Sequence, residues 1–421
     1  MLSPKMIPLK ELKTPSTKTK NAPVRMYFDY QSTTPTDPRV VEAMIPYMTS
    51  FYGNPHSRNH SYGWMAEKAV ENGKKEISSL INADPKEIVF TSGATEADNM
   101  ILKGFSEYND YNLHIITSQI EHKAVLETCR YLEEKGVSVT YLPVEKDGSI
   151  DLEKLKAAIT PNTKLVSLMA VNNEIGVINP LEEIGRICKE NDILFHTDAA
   201  QAFGKLPIDV KKCNIGAMSI SGHKIYGPKG IGALYIRRKP KVRLTPLIHG
   251  GGQEGGKRSG TVPPFLVVGF GEAAKISRNE MADNEKHISR LNQKLYKSLR
   301  SKLGDDFIKN GKNTFPGCLN ISFPYIEGEG LLMHLKNFAL SSGSACTSAS
   351  LEPSYVLRAI GATDDLAHSS IRFGIGKYTT DEDIDKLSER TISSVLKLRE
   401  MSPLYEMVKD GVDPKTIKWT A

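Results

Sequence analysis

Ile193-Leu-Phe-His-Thr-Asp198 and Ala217-Met-Ser-Ile-Ser221, the latter followed by Gly222-His223-Lys224, decide the fold. Both are short runs that lead into polar residues, and several runs of this kind along the chain lack polar alternation. Such runs suit strands covered on both faces. Glu87–Thr91, His114–Thr117, Val137–Tyr141, Lys164–Met169 and Gly232–Ile236 extend the pattern, with helix-like stretches between them. The seven runs predict an open, mainly parallel α/β sheet. Ligands of such sheets bind beyond the carboxyl ends of the strands, so the residues just after each run carry the chemistry.

Upstream, Asp37-Pro38 opens a predicted helix, with Asp as N-cap, Pro in the first turn, and Val40, Val41, Met44, Ile45 and Met48 at helical spacing. After about residue 280 the texture changes. A charged amphipathic stretch (Glu285 to Leu303) precedes Cys318–Phe323, a Leu-rich helix near Gly330–Lys336 and a helix near Asp381–Met401. The expected organisation is a leader over 1–25, a segment 26–38 joining the small domain, a large domain over 39–280, and a smaller α+β domain over 281–421. The last includes a small-residue loop at about 341–350 and a C-terminal tail.

Composition narrows the class. The 421 residues carry 55 Lys and Arg against 49 Asp and Glu, a net charge of +6, with 39% hydrophobic and 25% charged residues. This mild surplus lacks the concentrated basic face of a nucleic-acid binder. No run approaches the roughly 18 to 20 apolar residues of a membrane span. The five cysteines (Cys129, Cys188, Cys213, Cys318 and Cys346) are widely spaced without a C-x-x-C pair. That argues against a disulfide framework or a sequence-local metal site, and for a reducing compartment. Met1 to Arg25 has six basic residues against Glu11, with several Ser and Thr. A transit peptide and a solvated leader both fit, although Pro4, Pro8, Pro15 and Pro23 disfavour a long helix there.

Three strand ends belong together. Ser92-Gly-Ala-Thr-Glu-Ala97 is a small-residue turn feeding a helical pattern; the free N–H groups and dipole of such a helix start favour an anion, and Thr95 adds a hydroxyl. Asp198 ends a buried run, where an acid can meet a cationic ring nitrogen. Lys224 stands at a strand mouth, where desolvation frees an amine to attack a carbonyl, and Ser221 and His223 beside it can donate to a phosphate. Each alone reads more simply as a capped turn, an N-cap or a surface lysine. Together they are the three parts that pyridoxal phosphate requires.

At these residues the chain resembles the cysteine desulfurases of the fold-type I pyridoxal-phosphate enzymes, the IscS/NifS-like branch of the class-V aminotransferases that supplies sulfur for iron–sulfur clusters. The resemblance runs from about Met26 to the tail. It is carried by Thr91-Ser-Gly-Ala-Thr-Glu96, Glu121-His-Lys123, Asn172-Asn-Glu-Ile-Gly176, Asp198-Ala-Ala-Gln201, Ser221-Gly-His-Lys224, Arg258-Ser-Gly-Thr261 and Ser342-Gly-Ser-Ala-Cys346. It implies that Lys224 forms the imine with the cofactor, that Asp198 pairs with the pyridine nitrogen, and that His122 stacks on the ring and moves a proton. Asn173 and Gln201 then lie near the phenolic oxygen. Ala94, Thr95, Ser221 and His223 hold the phosphate, and Thr261 reaches the partner subunit's phosphate, which implies a homodimer. Arg372 and Asn173 bind the substrate, Arg372 through its carboxylate.

Cys346 lies in a run made only of Ser, Gly, Ala, Thr and Cys, a composition suited to a mobile arm. Cys129 and Cys188 sit in helical patterns and read as buried small hydrophobes. The implied reaction takes L-cysteine. Lys224 removes the Cα proton, the Cys346 thiolate attacks the substrate sulfur, a persulfide remains on Cys346, and L-alanine leaves. No intrinsic metal site is expected, although Cys346 can ligate a transient [2Fe–2S] cluster during transfer.

Gly251-Gly-Gln-Glu-Gly-Gly256-Lys257-Arg258 imitates a nucleotide-binding loop, but Arg258 replaces the Ser/Thr that would hold magnesium, and Pro263-Pro264 follows closely. Here the chain also departs from its family, with Gly255 where an arginine linked to partner docking usually stands; Lys257 restores part of the charge. The stretch from Leu398 to Trp419 resembles the tail that meets the scaffold protein. The partners implied are an iron–sulfur scaffold, a frataxin-like protein and small accessory subunits. No nucleic acid is expected beyond a tRNA-thiolation relay, and no membrane. The compartment implied is the mitochondrial matrix or a mitochondrion-derived organelle, or the cytoplasm if the leader is not a targeting segment. A related aminotransferase, a selenocysteine lyase and an inactive sulfur-relay platform are the rival readings.

Overall fold

The computed structural model describes residues 26–342 and 352–411. The leader 1–25, Cys346 with most of its loop, and the tail from 412 with Trp419 lie outside the described residues.

The chain opens with β1 (Met26–Tyr27), α1 (Pro38–Thr49) and α2 (Ser61–Ser79). Strands and helices then alternate through β2 (Ile88–Thr91), α3 (Ala94–Tyr108), β3 (His114–Ser118), α4 (Lys123–Glu133), β4 (Ser138–Leu142), α5 (Leu152–Ala157), β5 (Thr163–Ser167), α6 (Leu181–Glu190) and β6 (Leu194–Asp198). β7 (Ala217–Ser221), β8 (Gly232–Ile236) and the 40-residue α7 (Pro264–Leu303) follow. The remainder is β9 (Ile308–Asn310), β10 (Cys318–Ser322), α8 (Gly328–His334), β11 (Phe338–Ala339), α9 (Tyr355–Ala359), α10 (Asp364–His368), β12 (Ser370–Gly374), α11 (Asp381–Glu400) and α12 (Pro403–Lys409).

β2 to β8 form one sheet in the order β2-β8-β7-β6-β5-β3-β4. β8 runs antiparallel to both neighbours and every other pairing is parallel. The seven predicted runs are these seven strands, with ends shifted by at most two residues. Every residue of β2, β3, β6, β7 and β8 is buried, whereas edge strand β4 keeps partly exposed positions. The apolar runs therefore mark strands sandwiched between helical layers. Along β2, Val89 joins the core on the α3 and α4 side, and Ile88 and Phe90 join the opposite core with Ile77, Ile184 and Phe270.

A second core lies around β9, β10 and β12, a three-stranded antiparallel sheet in the order β12-β10-β9. Phe28 belongs to this core, and β1 pairs in parallel with β11. The N-terminal segment thus crosses to the smaller unit. Asp37 caps α1, accepting the Arg39 N–H at 3.0 Å, and its carboxylate also takes Lys377 Nζ at 2.6 Å.

α7 serves both cores. Val267, Phe270, Ala273, Ala274 and Ile276 pack on the large core, and Ile288, Leu291, Leu295, Leu299 and Leu303 on the small one. It starts well before the expected amphipathic stretch, because Pro264 sits at the first helical position, where its missing N–H costs nothing. The predicted helix near Asp381–Met401 is followed by another, α12, which Pro403 likewise begins. Among the described residues no helix is long and apolar enough to cross a membrane.

Candidate active site

A cavity of about 580 Å³ opens where the carboxyl ends of β2, β3, β5, β6 and β7 meet the start of β8. Ala94, Thr95, His122, Asn173, Asp198, Gln201, Ser221, His223, Lys224 and Arg372 all line it. Thr261 does not: within one chain it is exposed and away from this wall. Cys346 lies outside the described residues.

The reversed direction of β8 brings its first residue beside the turn after β2. A Cβ at Gly232 would fall 2.7 Å from the Gly93 Cα, so only glycine leaves that turn its shape. α3 begins at Ala94 with no side chain capping its N-terminus. Glu96 bends back to the Ser92 N–H at 2.7 Å and is held by Arg258 at 2.8 Å. The first turn of α3 therefore borders the cavity without a side-chain N-cap, the charge of Glu96 being met by Arg258.

Lys224 follows β7 in a short 3₁₀ turn. Its Nζ donates to the carbonyls of Gln31 at 2.5 Å and Ser32 at 2.8 Å. Gln201 Nε2 donates to the same Gln31 carbonyl at 2.8 Å, and Gln201 Oε1 accepts from Lys205 at 3.1 Å. His223 Nδ1 lies 2.9 Å from Thr33 Oγ1. Burial pushes the His223 imidazole down to about 4, helped by Lys224, Lys229 and Lys205, so the ring is neutral near pH 7.

Asp198 ends β6, fully enclosed, with Oδ1 accepting the Ala200 N–H at 2.8 Å. Burial raises its carboxyl above the usual range, while His122 and Lys224 oppose that shift. Behind it, His196 bridges Ser167 Oγ at 2.9 Å and Ser219 Oγ at 3.0 Å, and its Nε2 stands 3.7 Å from Asp98 Oδ1. Burial drives His196 down to about 3. It also holds the Asp98 carboxyl well above normal, with Asp198 adding to the effect. Burial thus disfavours the charged form of both members of this inner pair.

His122 is not at the strand end itself but at the N-cap of α4, where Nδ1 accepts the Ala124 N–H at 3.1 Å. That bond fixes the neutral tautomer and leaves the proton on Nε2. Burial lowers its basicity, opposed by Asp198 and reinforced by Lys224. Asn173 is buried, and its Oδ1 has no hydrogen-bond partner among the described residues. Arg372, on β12 of the small sheet, donates to the Asn173 carbonyl, Asp29 Oδ1 and Ser32 Oγ, each at 2.8 Å.

Several participants carried no sequence signal. Gln31, Ser32 and Thr33 form part of the wall, the first two acting through backbone carbonyls that any residue could supply. Asp98 could have been noticed as a polar residue on the apolar face of a helix, and Glu174 and Glu121 as acids inside motifs. Burial lifts Glu121 to about 8 and Glu174 to about 7.

The model of the class-V aminotransferases matches residues 26–387. A mitosomal cysteine desulfurase of Trachipleistophora hominis is 61% identical, over 94% of this chain and 92% of its own length. The solved structure of a NifS-like protein superposes with a TM-score of 0.82 at 38% identity, covering 89% of this chain and all of that one. A structure of SspA in complex with cysteine superposes with a TM-score of 0.76 at 40% identity, covering 84% of this chain and all of that one. With the fold, the strand-end cavity and these likenesses in agreement, the chain belongs to the class-V aminotransferase family.

Proposed function

We propose that this protein is a homodimeric cysteine desulfurase that moves sulfur from L-cysteine, through a persulfide on Cys346, to an iron–sulfur cluster scaffold. The observation that carries the reading is the meeting of Lys224, Asp198, His122 and Arg372 around one cavity. The family uses pyridoxal phosphate, and the residues present fit that group. The uncapped start of α3, with the Gly93 turn and Gly232 beside it, suits a phosphate. Among the described residues the buried Asn173 Oδ1 has no partner, which a polar ligand would supply. Ala94, Thr95, Ser221 and His223 would hold the phosphate, Asp198 the ring nitrogen, and Gln201 and Asn173 the phenolic side. Thr261, exposed in one chain, would complete the partner's phosphate site.

When bound, pyridoxal phosphate supplies an electron sink for charge developing at the substrate α carbon. Arg372, braced by Asp29 and Ser32, grips the substrate carboxylate. Lys224 takes the α proton with its amine. His122, its Nδ1 tied to α4, exchanges protons through Nε2. The Cys346 thiolate attacks the substrate sulfur to form an S–S bond. The electron pair of the broken C–S bond stays with the three-carbon fragment, which takes up one proton at its β carbon, regains its α proton from Lys224 and leaves as L-alanine. Residues 39–280 form the cofactor-binding domain and 281–421 the smaller domain that brings Arg372 and Cys346. A frataxin-like protein and small accessory subunits complete the assembly, in a mitochondrion-type organelle, as the mitosomal relative supports.

Incubation of the holoenzyme with L-cysteine, followed by peptide mass spectrometry, tests this reading. The expected result is one added sulfur on the Cys346 peptide and alanine in solution. Cys346→Ser should retain the cofactor and form no persulfide, and Lys224→Ala should lose at least about 10³-fold in turnover. A keto acid in place of alanine would indicate an aminotransferase instead.

A further inference from the structure

The segment bearing Cys346 leaves the described fold after Ser342 and re-enters it two residues before Ser354, and its roots are fastened to residues that border the cavity. At the first root, the Arg372 N–H donates to the Ser341 carbonyl at 2.8 Å, and the two residues form an antiparallel bridge. At the second root, Ser354 caps α9 by accepting the Leu357 N–H at 3.2 Å and donates its own hydroxyl to Glu174 Oε1. Tyr355 O–H donates to the Glu121 carbonyl at 2.7 Å. Glu174 directly follows Asn173, and Glu121 directly precedes His122.

Glu174 is itself anchored from three directions. Its N–H donates to Asn172 Oδ1 at 2.9 Å, and its carbonyl accepts from Cys318 Sγ at 3.3 Å and Asn320 Nδ2 at 3.2 Å. Its buried carboxyl reaches across 180 positions of sequence to the Ser354 hydroxyl. Arg372 and Asn173 are also joined to each other, Nη1 to carbonyl at 2.8 Å. One root thus hangs on Arg372 and the other on Glu174, the neighbour of Asn173.

We propose that the Ser354–Glu174 hydrogen bond is a positioning contact for sulfur transfer, fixing the distal root of the Cys346 segment to the turn that carries Asn173. Neither Ser354 nor Glu174 lines the cavity; their contact fixes where the chain re-enters the described fold after the Cys346 segment. Attack on sulfur needs the two atoms in near-contact alignment, and a misplacement of about 1 Å can cost roughly 100-fold. This inference rests on the desulfurase reading and adds residues to it.

The test uses single-turnover kinetics of the holoenzyme at saturating L-cysteine, quenched and read as persulfide on Cys346, beside the cofactor absorbance change that reports cysteine binding. Glycine is tolerated at a helix N-cap, so Ser354→Gly removes the hydroxyl while α9 persists. The expected result is sulfur transfer slowed roughly 10- to 100-fold. The half-saturation for the absorbance change should stay within about twofold, because binding is uniform with respect to this contact. Ser354→Thr, which restores the hydroxyl, and Glu174→Gln, which keeps an acceptor, should both transfer within about threefold of wild type. Transfer by Ser354→Gly at the wild-type rate overturns the proposal. So does a parallel loss of cofactor absorbance and cysteine binding without rescue by threonine, the mark of a general structural role. A wild-type enzyme that forms no Cys346 persulfide refutes the desulfurase reading itself, and the same assay shows that before any variant is compared.

Discussion

Two arginines in the smaller unit, Arg372 and Arg399, are each 2% exposed, yet their surroundings differ. Arg399, near the end of α11, donates to the carbonyls of Asp306 and Pro324 and lies against the Tyr405 ring at 5.2 Å. Those bonds close chain turns, and burial makes its guanidinium less basic than usual. Arg372 is held by the Asp29 carboxylate and the Ser32 hydroxyl and forms part of a cavity wall. Both are buried cations held by several hydrogen bonds. Concavity and convergence with other polar groups, not burial, separate the functional one from the structural one.

Arg372→Lys separates the two arginines most strongly. An ammonium keeps the charge but loses the planar fork, so kcat/KM for cysteine should fall roughly 100-fold, measured by alanine formation. A loss under threefold would reduce Arg372 to the role of Arg399. Arg399→Met should do the reverse: unfolding free energy falls by roughly 2 to 3 kcal/mol as the two carbonyls lose a charged donor. Denaturant titration would report that loss, with kcat/KM within about twofold of wild type. The smallest effect concerns pH. Glu121 has a folded-state pKa of about 8 against an ordinary 4.5, so it stays protonated when folded and ionises on unfolding between those values. Its contribution is fully present below about pH 4.5 and is lost as pH rises toward 8. Glu121→Gln cannot ionise and should flatten the decline in unfolding free energy between pH 5 and 8; an unchanged slope would show that Glu121 is not its source.

That contrast also marks what could be read from the sequence. The seven sheet strands were legible because two-sided burial writes an apolar run into each, and the strand ends placed Asp198, Ser221, His223 and Lys224 together. Only the family resemblance told Arg372 from Arg399; local pattern could not, because their difference lies in which distant segments meet them. The first turns of α7 were hidden for a local reason. Gly269 and Gly271 are poor helix formers, but a Cβ at Gly271 would meet the Gly73 Cα at 2.9 Å, so close packing of α7 on α2 overrides propensity. Thr261 shows the opposite limit. Its expected role needs a second subunit, and one chain leaves it outside the cavity it was assigned to.

The 40-residue helix that crosses from one core to the other gives the chain a seam without a hinge peptide. At about 1.5 Å per residue it is a rod of about 60 Å, anchored at one end by Phe270 and Ala274 and at the other by the Leu291–Leu295–Leu299 stripe. Severing the polypeptide near residue 280 would not release two self-sufficient halves. Each stump would carry away a strip of greasy surface cut to fit its own half, on a helix that has lost its continuation. The enzyme's two compartments are therefore inherited as one casting.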